Sequence, residues 1–359
     1  MRAFRWYEMV YDSSSESKIN NKIYYRLMYP GRNSLPNIYY AKGNKSSFEK
    51  LLSPSSISTK DRILFTGLRP SPNDRFVAYH YNRNGSDWKE IKIVGIKKRK
   101  FFKETLKEIL SPQINWYGQG FFYVKNKVNP EKVSREIPEI MYHKLDTQQR
   151  EDKSIFKVEN KNERLSIYGT SNQSLYLIKK SNKFKNQFSY YYLKPKSKKR
   201  EFKPIFEKIK YDMNVVRFKS DTLVVLTRIK NKKYLVRIPI NEPKKWVLVS
   251  PSYNCAVFTD YEFVDRKIVT SFQTKKSSLI AITDFDGKVL GEVLTPEGMS
   301  ISNMFFSKTK KEFTFKLSSY TVPPVTCQLD LENYTFKYLG KSEVNFDSSK
   351  YHFMRKKFI

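Results

Sequence analysis

The feature that most constrains this chain is a repeating cadence of short β-type runs. Period-two alternation and short β-rich runs recur, as at 22–29 (KIYYRLMY), 76–81 (FVAYHY), 120–124 (GFFYV), 223–227 (LVVLT) and 267–272 (KIVTSF), with turn residues between the runs. The runs gather into clusters near 20–40, 63–96, 110–145, 163–194, 213–238, 255–293 and 300–338, so the pattern returns roughly every 40–55 residues. Each cluster has the form of one small antiparallel sheet, which cannot bury both of its faces alone and must stack on its neighbours. The spacing therefore predicts an all-β chain: a seven-bladed β-propeller of four-stranded antiparallel blades. Two packed β-sandwiches are the rival arrangement, but no change of composition or linker marks where they would divide. Helical periodicity is weak, and its best stretches are 101–110 (FFKETLKEIL) and 202–209 (FKPIFEKI).

Length and composition refine this picture. A chain of 359 residues has a soft prior of two domains, which the sevenfold cadence replaces with one. Apolar residues at 39% and aromatics at 15% supply a core. The formal charge of +33 points first to a nucleic-acid partner, yet 50 of the 68 basic residues are Lys and only 18 are Arg. Lysine spread over solvated faces differs from the arginine concentration that bidentate phosphate or guanine contacts demand. Basic runs at 97–100 (KKRK) and 194–203 (KPKSKKREFK) fall between strand clusters, where they read as solubilised connections. Two cysteines, Cys255 and Cys327, and three histidines are too few for a disulfide framework or a Cys/His zinc centre, so no metal and no cofactor is expected. Without an apolar signal region or an apolar run of membrane-spanning length, the expected compartment is the cytoplasm and no membrane partner is expected.

Five stretches carry a resemblance. Residues 71–88 (SPNDRFVAYHYNRNGSDW) begin in a turn-forming Ser-Pro-Asn-Asp run and end in Gly85, Ser86, Asp87 and Trp88, with Gly85 permitting a tight reversal and Trp88 placed to pack between blades. Residues 114–123 (INWYGQGFFY) centre on Trp116; residues 142–152 (YHKLDTQQRED), 243–249 (PKKWVLV) and 319–331 (SYTVPPVTCQLDL) follow in order. Together they resemble the propeller of the prolyl oligopeptidase family. That resemblance implies a propeller that gates a serine endopeptidase, joined in the family to an α/β-hydrolase domain bearing Ser, Asp and His. Phe122 is the position matching the family's Phe-Phe-Tyr strand, which reaches toward substrate. Tyr191, in 189–193 (SYYYL), stands where the family has a Cys near the substrate. The residue-level reading of both is ordinary blade core, the common fate of an aromatic in such a strand.

The catalytic half is not legible. The nucleophile elbow G-x-S-x-G occurs nowhere; 31–34 (GRNS) and 169–173 (GTSNQ) do not meet the pattern. His80, His143 and His352 each read as ordinary strand or surface histidines, so no catalytic residue is assigned. The expected organisation is an extension at 1–17, the propeller at 18–345, and a tail at 346–359 where the family continues into the hydrolase domain. The expected protein is a truncated, split or decayed member, inactive alone, with a separately encoded hydrolase domain or short peptides as partners. The alternative is a free-standing basic propeller that binds protein or nucleic acid.

Overall fold

The computed structural model describes residues 9–11, 23–31, 34–42, 48–97, 99–126, 137–158, 160, 162–170, 173–182, 184–195, 201–307 and 310–340. The chain divides into two compact units, Met1–Lys210 and Tyr211–Ile359. Among the described residues, every sheet is antiparallel with its strands in chain order.

The first unit holds four sheets. The first runs Met9–Tyr11, Ile23–Met28, Asn37–Lys42 and Glu49–Leu52, so residues 9–11, placed by the sequence in an extension, pair as its opening strand. The second runs Ile63–Pro70, Phe76–Arg83 and Lys89–Gly95, and both Lys100–Phe101 and Leu106–Ile109 pair with the third of these. The third runs Asn115–Tyr117, Gly120–Asn126, Pro138–Lys144 and Lys153–Lys157. The fourth runs Glu163–Gly169, Tyr176–Asn182, Gln187–Leu193 and Lys203–Ile209.

The second unit holds three more. The fifth sheet runs Met213–Lys219, Thr222–Ile229, Lys232–Pro239 and Val247–Leu248. The sixth runs Val257–Val264, Lys267–Gln273, Ser278–Asp284 and Val289–Leu294. The seventh runs Ser300–Ser307, Glu312–Ser318, Val325–Asp330 and Thr335–Tyr338.

Burial explains the strand composition. Second strands such as Gly120–Asn126 and Lys267–Gln273 are buried at five consecutive residues, because both faces of the sheet are covered. Fourth strands such as Lys153–Lys157 and Thr335–Tyr338 are mostly exposed and carry lysine, which blunts an edge against further pairing. The core lies between consecutive sheets. In the first unit, Ile38, Leu52, Val77 and Tyr79 join the first to the second sheet, Ile91, Ile93, Trp116 and Phe121 the second to the third, and Ile140, Ile167 and Ile178 the third to the fourth. In the second unit, Leu235 packs with Ile268 and Ala281, and Ile280 with Phe313 and Phe315. Each such aliphatic or aromatic side chain contributes about 1.5–3 kcal/mol on burial.

The two helix-like stretches are strands. In Leu106–Ile109, Leu106 and Ile109 are both fully buried, with a register shift opposite Lys89–Ile91 and a left-handed Glu108 (φ 61°) between them. Lys203–Ile209 repeats the device: its register against Gln187–Leu193 shifts twice, and Lys208 is left-handed (φ 53°). An extra residue at such a bulge turns apolar side chains three apart onto one face, which mimics helical spacing.

Candidate functional site

The three N-terminal motif stretches lie in the second and third sheets, and the 114–123 stretch also bonds to the fourth. The 71–76 turn is tied by Ser71, whose amide donates to the Phe76 carbonyl (2.8 Å), while its hydroxyl donates to Asn73 Oδ1 (2.8 Å) and accepts from the Phe76 amide (3.0 Å). Asp74 adopts a left-handed φ of 52°, which a short polar side chain tolerates. Burial pushes its carboxyl up to about 6.

Beyond the other end of that strand, Asn84 (φ 53°) and Gly85 (φ 77°) are both left-handed, as the central residues of a type I′ turn are. The Ser86 amide donates to the Arg83 carbonyl (3.0 Å), and the Ser86 hydroxyl accepts from the Trp88 amide (3.1 Å). Asp87 is exposed and Trp88 half-buried. These four residues therefore close a hairpin.

Trp116 is the tryptophan that ties sheets together. It is 6% exposed, its indole donates to the Arg69 carbonyl of the second sheet (3.0 Å), and its ring contacts Phe76 and Phe121. Its neighbours face the fourth sheet: Asn115 donates to the Ile167 carbonyl (2.9 Å) and accepts from the Gly169 amide (2.8 Å), Gln113 accepts from the Ile167 amide (2.7 Å), and the Tyr176 hydroxyl donates to the Trp116 carbonyl. Gly120 opens the next strand so close to its partner that a Cβ would lie 1.9 Å from the His143 carbonyl oxygen. A cavity of about 340 Å³ opens among these turns, lined by Ser71, Asn73, Phe76, Trp116, Gln119 and Asp146 together with others of the same loops.

Phe122 and Tyr191 are brought into one hydrophobic cluster between the third and fourth sheets. Phe122 is 2% exposed: Tyr117 stacks on it at 5.0 Å, with Tyr142, Tyr176 and Phe202 at 5.4, 5.6 and 5.9 Å. Tyr191 is half-buried against Phe156 (4.7 Å), and burial raises its phenol pKa. The rings line the seam between sheets.

The 142–152 motif resolves into a buried polar network whose role sequence reasoning missed. His143 Nδ1 lies 2.8 Å from Asp152 Oδ1, and both side chains are 0% exposed. The Tyr123 hydroxyl donates to Asp152 Oδ2 (2.7 Å), and Gln149 donates to that hydroxyl (3.2 Å). Gln149 also clamps Lys107 of the second sheet, donating to its carbonyl (2.9 Å) and accepting from its amide (3.0 Å). Burial, then the hydrogen bond and charge of Asp152, drives the Tyr123 phenol well above its ordinary range. His143 Nε2 has no hydrogen-bond partner and lies 3.7 Å from Glu104 Oε1. The signal available in the sequence was an Asp nine residues after a His on a strand whose neighbours are apolar.

The network contains an acid and an imidazole without a nucleophile. His80 Nδ1 meets Thr66 Oγ1 at 2.8 Å, but Gly67 abuts the ring so closely that a Cβ would sit 2.6 Å from it, leaving no room for a substrate. Burial, helped by Lys89, holds the His80 pKa down to about 4. His352 lies outside the described residues. Among the described residues no cluster of His, Cys, Asp and Glu is arranged to hold a metal ion, and no helix is long and apolar enough to cross a membrane. Of the basic runs, residue 98 and residues 196–200 lie outside the described residues; Arg99 and Lys100 form exposed pairs with Glu49 (3.3 Å) and Asp146 (3.7 Å).

Comparison with known proteins agrees with this arrangement. A family model described as the prolyl oligopeptidase N-terminal beta-propeller domain matches residues 4–341. The prolyl endopeptidase of Elizabethkingia miricola is 25% identical over 325 residues, covering 88% of this chain and 45% of that protein. Among solved structures, one from a study of two prolyl endopeptidases superposes with a TM-score of 0.70 at 15% identity, covering 93% of this chain and 50% of that one. Prolyl oligopeptidase B from Galerina marginata, as the apo protein, gives 0.67 at 14% identity over 96% of this chain and 52% of that one. The two structural likenesses concern the fold alone. The chain spans about half the length of the relatives it matches.

Proposed function

This chain belongs to the prolyl oligopeptidase family, matching its N-terminal β-propeller domain, and from that premise we propose that it is the substrate-gating portion of a serine endopeptidase. The observation that carries the proposal is the extent of the match: residues 4–341 align with the propeller domain and cover 45% of a prolyl endopeptidase. In this reading residues 18–345 form the gate, and an α/β-hydrolase domain outside the 359 residues supplies Ser, Asp and His. Both described histidines support that division of labour, since His80 and His143 are committed to Thr66 and Asp152. A base must reach its nucleophile, and neither does.

The substrates of the assembled enzyme are short proline-containing peptides, admitted by the gate. Phe122 and Tyr191 act as a packed wall between two blades, and any direct substrate contact falls to the exposed part of Tyr191. The compartment is the cytoplasm, where the free thiols of Cys255 and Cys327 persist. Incubating the purified chain with a proline-containing chromogenic peptide tests the reading. No turnover above buffer is expected; turnover abolished by a serine-directed inhibitor would overturn it.

A further inference from the structure

The second unit carries a cationic cavity that the gating role leaves unused. It measures about 220 Å³ and lies within the fifth and sixth sheets, lined by Arg217, Lys219, Ser220, Thr222, Arg237 and Arg266, with Val224, Asp265 and Phe285 completing the wall.

Arg217 is its centre. The strand Met213–Lys219 slips register against Thr222–Ile229 between Val215 and Arg217, so that Val215 opposes Val225 and Arg217 opposes Val224. A bulge of this kind breaks strand alternation and re-aims the side chain that follows it. The guanidinium consequently rests on two rings, 5.0 Å from the centroid of Phe263 and 4.9 Å from that of Phe285. Those rings are nearly parallel, 12° apart, with centroids 6.0 Å from each other. Aromatic contact holds a guanidinium in place without using its N–H donors. Among the described residues Arg217 has no carboxylate partner and no hydrogen bond, although it is half-buried. Burial lowers its pKa, yet an arginine stays protonated. A half-buried, oriented and unpaired cation is costly unless something satisfies it.

The remaining groups define what would. Arg237 is braced by Asp286 at 2.6 Å. Lys219 and Arg266 are exposed beside the cavity, and the Ser220 and Thr222 hydroxyls flank the tight turn 219–222. Four cations thus face two carboxylates, Asp265 and Asp286, leaving an excess of two positive charges. We infer that this cavity binds a phosphate-type dianion, with Arg217 as the principal fork and Arg237, Arg266 and Lys219 as supporting charges. A monocarboxylate would leave one charge unanswered, and guanidinium forks match tetrahedral phosphate oxygens two at a time.

Calorimetric titration at fixed ionic strength tests this on the full chain, using inorganic phosphate, a short phosphoserine peptide and acetate. Saturable one-to-one phosphate binding is expected, with acetate at least tenfold weaker. R217Q should weaken phosphate binding about tenfold or more, as expected for loss of a charge-assisted bidentate contact. R217K, which keeps the charge and removes the fork, should fall between R217Q and the parent. R228Q removes an equal charge from an exposed position on the Thr222–Ile229 strand and should change affinity less than twofold. Tighter binding of the phosphopeptide, lost equally in R217Q, would identify a phosphomonoester as the ligand; equal binding would identify the free ion. Equal losses in R217Q and R228Q would show that phosphate answers only to net charge, and the inference would fall. Acetate binding as tightly as phosphate would overturn it as well.

Discussion

The His143–Asp152–Tyr123 network is where a small perturbation should have the largest effect. Asp152 has no exposed side-chain surface, and its two oxygens are served by His143 Nδ1 at 2.8 Å and the Tyr123 hydroxyl at 2.7 Å. His143→Leu fills much of the same volume but leaves a buried carboxylate with one partner. Losing a hydrogen bond to a buried carboxylate costs about 1.5–3 kcal/mol. Tyr123→Phe removes one hydrogen bond to a charged group and should cost about 1.5–3 kcal/mol. In a unit of this size such losses lower the melting temperature by about 3–12 °C. Equilibrium unfolding in urea, read by tryptophan fluorescence, gives both values, with an unchanged slope showing that native compactness is retained. Because both variants act on one carboxylate, the double variant should lose less than the sum of the two singles. A His143→Leu variant within about 0.5 kcal/mol of the parent would refute the idea that the network is a structural staple.

Three further outcomes follow from the same geometry. Gly120→Ala drives a Cβ to 1.9 Å from the His143 carbonyl oxygen, so it should cost more than about 3 kcal/mol and appear as lost soluble yield and a lowered melting temperature. Asp74 has a folded-state pKa of about 6 against 3.8 unfolded, so the native state binds its proton more tightly and loses stability as pH rises from about 4 through 6; Asp74→Asn should therefore stabilise at pH 8 and leave stability unchanged below pH 4, as melting curves at both ends would report. Nucleic-acid binding should be weak, indifferent to sequence and gone by physiological salt; sub-micromolar affinity with a steep salt slope there would favour the interaction-platform reading instead.

Much of the fold was legible because the strands are short β-rich runs at a regular spacing. Turn residues punctuate runs such as 76–81 and 267–272, and the cadence predicted seven sheets where seven are described. The two misleading stretches fail for one shared reason. Left-handed Glu108 and Lys208 place a bulge inside the last strand of the second and fourth sheets, and the resulting spacing of Leu106 and Ile109 copies a helical face. An apolar pattern does not tell such a bulge from a helical turn.

The site was legible in outline and opaque in detail. Gly85 and Trp116 stood out as motif residues, and the turn role of Gly85 followed from residue type, but packing between blades was expected of Trp88 and not of Trp116. Gly85 serves a left-handed turn, and Trp116 spans two sheets with ring and indole N–H. The role of His143 was not legible, because its partners Asp152 and Tyr123 are set by strand register, which only pairing of Gly120–Asn126 with Pro138–Lys144 reveals. Arg217 was equally hidden. Its importance rests on a register slip and on two phenylalanines 46 and 68 residues further along the chain.

In the proposed reading this propeller contributes a gate and no catalytic serine of its own. Reaction of the purified 359-residue chain with a fluorophosphonate probe, read by intact mass, is the decisive test. An unmodified mass and no peptide turnover are expected. A single stoichiometric adduct mapped to one serine, appearing together with hydrolysis of a proline peptide, would contradict it.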